Sequence, residues 1–136
     1  RNRLDEIEDF SDYLTQVYNT YLSDFSGRIV LMGFSQGCAT IWRWQHKAPV
    51  IYHSMINWAG WIPEDIDLKN TMSHLRDPVV YIAIGDQDQY LSDDRVAAMK
   101  EVVAKNNIPV IYHLFEGKHQ IDRTLLESIL QSIIEK

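Results

Sequence analysis

The sequence holds a single cysteine, Cys38, so no disulfide can close within the chain. A disulfide-stapled scaffold is thereby excluded, and a stable core must come from packing alone. A lone thiol suits a reducing compartment, and a cytoplasmic location is the expectation. Basic residues are the scarcer charge: 13 Lys and Arg stand against 19 Asp and Glu, giving a net charge of −6. No Lys- or Arg-rich run occurs, which argues against nucleic acid and against anionic membrane surfaces as partners. No apolar stretch approaches the ~20 residues needed to cross a bilayer, so no integral membrane segment is expected. Zinc-type spacing is also missing: the five histidines form no H-E-x-x-H and no paired Cys/His pattern, so no metal is expected. His46 ends a helix, His53 and His113 fall in strands and His74 in a loop. All four read as structural.

What is present suffices for a core. Hydrophobic residues make up 46% and charged residues 24% of 136 positions, the balance of an ordinary globular domain. One domain spanning 1–136 is expected. Leu4, Ile7, Phe10, Leu14, Val17, Tyr18, Tyr21 and Leu22 recur at helical spacing and predict an amphipathic helix that ends near Gly27. Asp5, Glu6, Glu8 and Asp9 sit near its start, where negative charge is favoured. The apolar run Arg28 to Met32 predicts a strand, and Gln36 to about His46 a helix broken by Ala48-Pro49. Trp42 should face the core and Trp44 the surface. Val50 to Trp58 predicts a strand. Ala59 to Asp77 reads as an irregular connection with a short turn near 70–75. Val79 to Ile84 is a strand, and Ser92 caps a helix running to about Asn106. Val110 to Leu114 is a strand and Ile121 to Glu135 a helix. Strands and helices alternate, so the fold class is α/β, with about four parallel strands covered by helices on both faces.

The most informative stretch is Gly33-Phe34-Ser35-Gln36-Gly37. It lies between the first strand and the second helix, the setting that a G-x-S-x-G nucleophile elbow requires. The turn should strain the backbone at Ser35, with Gly33 and Gly37 relieving collisions between strand and helix. Ser35 then projects toward a base and a substrate carbonyl. The Gln36 amide, at the helix start, is aimed at a developing oxyanion. The alternative is a capping serine in a β-α turn with no chemistry. An acid and a histidine in the right order would decide between them. The loop Gly85-Asp86-Gln87-Asp88 follows one strand, and Glu116-Gly117-Lys118-His119 follows the last. The order Ser, Asp, His is that of the α/β-hydrolases. Each interval holds enough chain for at least one βα unit. All three groups can therefore lie beyond the carboxyl ends of parallel strands, where open α/β sheets place their sites.

With these pieces in place, the sequence resembles the α/β-hydrolase superfamily, in particular its phospholipase/carboxylesterase branch, which includes acyl-protein thioesterase-like enzymes. Gly33-Phe-Ser-Gln-Gly37, Asn57-Trp-Ala-Gly-Trp-Ile-Pro63, Gly85-Asp-Gln-Asp88 and Glu116-Gly-Lys-His119 carry the resemblance, from about Asp24 onward. It implies nucleophile Ser35, acid Asp88 and base His119. Asp86 remains the alternative acid, because Gln89-Tyr90-Leu91 departs from the proline-containing loop usual after that Asp. Cys38 likewise replaces a smaller residue. The family's first strands, and the loop giving its second oxyanion amide, would precede Arg1. The chain should then be the C-terminal portion of the fold, with an open edge on its first strand and a tendency to pair into a homodimer.

The resemblance implies a serine esterase or thioesterase that uses no cofactor and acts on a small-molecule or lipid acyl ester. Trp58, Trp61 and Leu91 are candidate substrate-binding residues, although buried packing is the commoner role of such side chains. Two alternatives stand beside it: a non-catalytic interaction module of the same fold, and a serine peptidase.

Overall fold

A computed structural model describes residues 3–72 and 79–135. Nine elements alternate along them: α1 (Arg3–Tyr21), β1 (Val30–Phe34), α2 (Gln36–Lys47), β2 (Ser54–Trp58), α3 (Leu68–Met72), β3 (Val80–Gly85), α4 (Asp93–Lys105), β4 (Val110–Phe115) and α5 (Arg123–Ile134). His74 and the end of the turn expected near 70–75 lie outside the described residues.

The four strands form one parallel sheet in the order β1-β2-β3-β4. Leu31 pairs with Met55, Ile56 with Tyr81, and Ala83 with His113. Every residue of β2 and β3 is buried. That is the pattern of strands covered on both faces, and it explains why they read as continuous apolar runs rather than alternating ones. β1 and β4 are the two edges of the sheet and are only partly buried.

Helix ends follow local chemistry. Ser92 caps α4 by accepting from the Arg95 amide at 3.3 Å, and Asp122 caps α5 by accepting from the Leu125 amide at 2.8 Å. The second strand is shorter than expected, beginning at Ser54 instead of Val50. The His53 side chain accounts for this. Its Nδ1 accepts from the Ile29 amide at 2.9 Å while its own amide donates to the Ile29 carbonyl at 2.8 Å. A ring nitrogen therefore stands where a strand carbonyl would otherwise sit.

Two expectations about packing need correction. Trp44 is buried, not a surface residue. Its indole N–H donates to Thr15 Oγ1 at 3.0 Å, and its ring meets Tyr18 edge-on at 6.4 Å. α1 thus covers the side of α2 that was assigned to solvent. α1 itself turns a different face inward. Ser11 and Tyr18 are buried with Ile7, Leu14 and Leu22 beside them, while Phe10, Val17 and Tyr21 are exposed. Residues 7, 11, 14, 18 and 22 make one helical stripe, and Phe10, Val17 and Tyr21 lie on its flank. Tyr18 anchors the stripe by donating its hydroxyl to the Ile51 carbonyl at 2.8 Å.

Candidate active site

The loops at the carboxyl ends of the strands build the site. β1 ends at Phe34, and the chain turns at Ser35 with φ 58° and ψ −122°. A non-glycine residue adopts this conformation only when its surroundings impose it. Here the Ser35 amide donates to the Trp58 carbonyl at 2.9 Å, and the Ser35 carbonyl accepts from the Cys38 amide at 3.1 Å. The strand and helix close tightly on the turn. A Cβ on Gly33 would stand 2.6 Å from the Cys38 nitrogen. Gly37 was expected to relieve a similar collision, but a Cβ there would meet nothing within 4 Å. The second close approach belongs to Gly60, whose Cβ would run into Cys38 Sγ and the Ser35 carbonyl.

Cys38 is fully buried under this turn, and its thiol donates to the Gly33 carbonyl at 3.2 Å. Burial pushes its pKa up to about 12, so the thiol stays neutral and acts as a packing group. The loop after β2 is held by Asn57. Its side chain accepts from the Trp42 indole at 3.0 Å and donates to the Gly60 carbonyl at 3.0 Å. Ala59, at φ 53°, turns the chain between them and donates its amide to Ala83.

The loops after β3 and β4 converge on the same point. His119 Nδ1 lies 2.8 Å from Asp88 Oδ2, and His119 Nε2 lies 2.9 Å from Ser35 Oγ. Both contacts are satisfied by one tautomer: Nδ1–H donates to the carboxylate, and Nε2 accepts the serine hydroxyl. The Asp88 side chain is inaccessible to solvent, and its other oxygen accepts from the Tyr90 amide at 2.8 Å. Asp86 is placed otherwise. It is exposed, and its Oδ1 accepts from the Gly117 amide at 3.1 Å, so it holds the histidine loop and does not touch the histidine.

A cleft of about 800 Å³ opens over Ser35. Gln36, Trp61 and Leu91 line it, together with Ile7 and Phe10 of α1. Trp58, expected at the substrate, does not line it. Its side chain is fully buried against Phe115, and its indole N–H donates to the Gln120 carbonyl at 2.8 Å. Trp58 therefore ties down the residue beside His119. Residue order could not show this, because Trp58 and Gln120 are 62 positions apart.

The sequence reading also passed over Tyr90 and Phe34. Tyr90 meets the His119 ring edge-on at 4.7 Å, and Phe34 meets it at 5.0 Å. The only sequence signal was adjacency, each standing one or two positions from a candidate site residue. Among the described residues, no group of three His, Cys, Asp or Glu side chains is arranged to hold a metal ion, and no helix is long and apolar enough to cross a membrane.

A parallel sheet, a strained serine between strand and helix, and an acid and a histidine on later loops define the α/β-hydrolase fold. Within it, residues 7–135 match the phospholipase/carboxylesterase family model, and the chain belongs to that family. Several solved structures share the fold. The Bacillus cereus carboxylesterase aligns with a TM-score of 0.72 at 17% identity, over 97% of this chain and 60% of that one. Zea mays acyl-protein thioesterase 2 aligns at 0.70 and 15% identity, over 95% of this chain and 65% of its own. Arabidopsis thaliana SOBER1 aligns at 0.70 and 14% identity, over 95% and 63%. The chain thus spans less than two thirds of the length of these relatives. No curated protein sequence matches it.

Proposed function

We propose that this chain carries the relay of a serine hydrolase that cleaves carboxylic esters or thioesters. One observation carries the reading: the His119 imidazole bridges Ser35 Oγ and Asp88 Oδ2 with a hydrogen bond to each. Family membership and the carboxylesterase and thioesterase relatives support the same class.

The steps follow from the geometry. A serine hydroxyl is a weak nucleophile until a base takes its proton. His119 Nε2 accepts that proton as Ser35 Oγ bonds to the acyl carbon. The carbonyl oxygen gains negative charge, and the Gln36 amide at the start of α2 donates to it. Asp88 holds the imidazole in the correct tautomer and stabilises the imidazolium without taking the proton. Collapse of the tetrahedral intermediate breaks the bond to the alcohol or thiol, which leaves with the proton from Nε2. Water then repeats the sequence on the acyl-serine, releasing the carboxylic acid and restoring the hydroxyl. Trp61, Leu91, Ile7 and Phe10 give the cleft apolar walls suited to a small-molecule or lipid acyl group.

The test is covalent labelling of the full-length protein with a fluorophosphonate, followed by a panel of matched esters, thioesters and amides. Labelling of the wild type and none of Ser35→Ala is the expected result. An unlabelled wild type would overturn the proposal. Efficient turnover of a peptide amide, at a rate approaching that of the matched ester, would reassign the enzyme as a peptidase.

A further inference from the structure

We infer that Tyr90 is a positioning residue that holds the His119 imidazole in line with Ser35 and Asp88. The inference rests on the proposed relay and extends it to a residue the relay does not contain.

His119 lies on a loop outside any helix or strand, with a side chain 19% exposed. Its two hydrogen bonds fix the ring nitrogens only while the side chain keeps one rotamer. Either bond is lost by rotation about Cα–Cβ, toward the cleft that His119 itself lines. Two aromatic rings oppose that rotation. Phe34 contacts the imidazole from the residue before the nucleophile, with centroids 5.0 Å apart and planes inclined at 37°. Tyr90 contacts it from the loop of the acid, at 4.7 Å and 60°. Both separations fall in the range where ring pairs attract beyond their burial.

Tyr90 is the better tied of the two. Its amide donates to Asp88 Oδ1 at 2.8 Å, and its carbonyl accepts from Arg95 Nη1 at 3.2 Å. The residue whose ring touches the base is therefore anchored by its backbone to the acid. Asp88, Tyr90 and His119 form one closed circuit: Oδ1 to the Tyr90 amide, the Tyr90 ring to the imidazole, and Nδ1 back to Oδ2. Tyr90 is exposed and lines the cleft, so packing of the core does not require it there. The hydroxyl takes no part in the circuit, so phenylalanine is expected to serve equally well.

The experiment measures fluorophosphonate inactivation of the full-length protein at varied probe concentration, for wild type, Tyr90→Ala and Tyr90→Phe. A downfield proton NMR spectrum of the imidazole N–H in each variant is recorded alongside. Tyr90→Ala is expected to lower the limiting inactivation rate about 2- to 12-fold, the range that one aromatic pair supports, with half-saturation unchanged. Its Nδ1–H resonance broadens, and Tyr90→Phe restores both rate and resonance. If Tyr90→Ala instead shifts half-saturation alone, Tyr90 is a substrate wall and the inference is wrong. The inference also fails if Tyr90→Phe is as slow as Tyr90→Ala, or if the alanine variant matches wild type. A wild type that neither labels nor shows the resonance removes the relay itself, which separates that failure from the failure of the clamp.

Discussion

On the loops after β3 and β4, directional bonds hold several polar groups. Asp86 accepts from the Gly117 amide, the Gln87 amide donates to the Gly117 carbonyl, Asp88 accepts from His119 and the Tyr90 amide, and the Trp58 indole donates to the Gln120 carbonyl. The outer face of α1 presents the opposite picture. Tyr13 and Tyr21 stand in solvent, with Tyr21 75% exposed, and Val17 between them is partly exposed. The two regions differ in what a single side chain can change. On the loops, geometry is fixed by directional bonds whose loss moves one atom relative to another. On α1, attachment comes from the narrow stripe of residues 7, 11, 14, 18 and 22, and the flank contributes little to it.

The sharpest test of the loops compares the two aspartates. Asp88→Asn leaves the shape intact but offers an amide where a carboxylate selects the histidine tautomer. Turnover of a p-nitrophenyl ester by the full-length protein is expected to fall by ~10⁴-fold. Asp86→Asn keeps a carbonyl oxygen for the Gly117 amide at an exposed site, so its loss should stay within about tenfold. The reverse order would make Asp86 the acid and break the account of both loops.

Much of the fold was legible because it is written in period and order. Apolar runs alternating with helical stripes gave four strands and the major helices, although α1 stops at Tyr21, short of the end expected near Gly27, and the parallel sheet followed from their alternation. The serine turn and the two later loops were legible because each is a short local pattern at a strand end. What escaped were relations through space. Trp44 read as a surface residue because nothing in α2 records that α1 lies over it. The start of β2 was misplaced because a histidine ring replaced a backbone acceptor. Trp58 was assigned to the substrate because the direction of a side chain at a strand end depends on what the last loop does 62 residues later. Gly37 was given the steric duty that belongs to Gly60, since sequence does not show that a Cβ on Gly37 would point into open space while Gly60, from the loop after β2, packs onto Cys38 and the Ser35 carbonyl.

That last difference can be measured directly. Gly60→Ala places a methyl against Cys38 Sγ and the Ser35 carbonyl, neither of which is the free end of a flexible chain. Overpacking of this kind typically costs about 1–3 kcal/mol, and a cost toward the upper end is expected in urea unfolding. Gly37→Ala adds a methyl in open space inside α2, at a position without positive φ. There alanine favours the helix, and since Gly37 lies in the first turn of α2 only part of the interior difference, a gain of up to about 0.5 kcal/mol, is expected. Opposite signs at Gly37 in α2 and Gly60 on the loop after β2 would establish that Gly60, packed over Cys38, carries the steric constraint. Equal losses would mean that the start of α2 is tighter than the structure describes.

The smallest expected effect lies on α1. Tyr13→Lys and Tyr21→Lys replace exposed rings with solvated charges, and each should change unfolding free energy by no more than about 0.5 kcal/mol. Tyr18→Phe, on the buried stripe of the same helix, removes the bond to the Ile51 carbonyl and should cost about 1 kcal/mol. The comparison is internal to one helix, so helix length cancels, and the better helix propensity of lysine only lowers the expected cost of the two exposed changes. If the lysine variants instead lose more than Tyr18→Phe, the flank of α1 is covered in the folded protein in solution, and attachment of the helix does not rest on its inner stripe alone. A double variant carrying both lysines sharpens the result. Two independent exposed sites should add to a near-zero sum, whereas two residues under one cover would show a coupled loss.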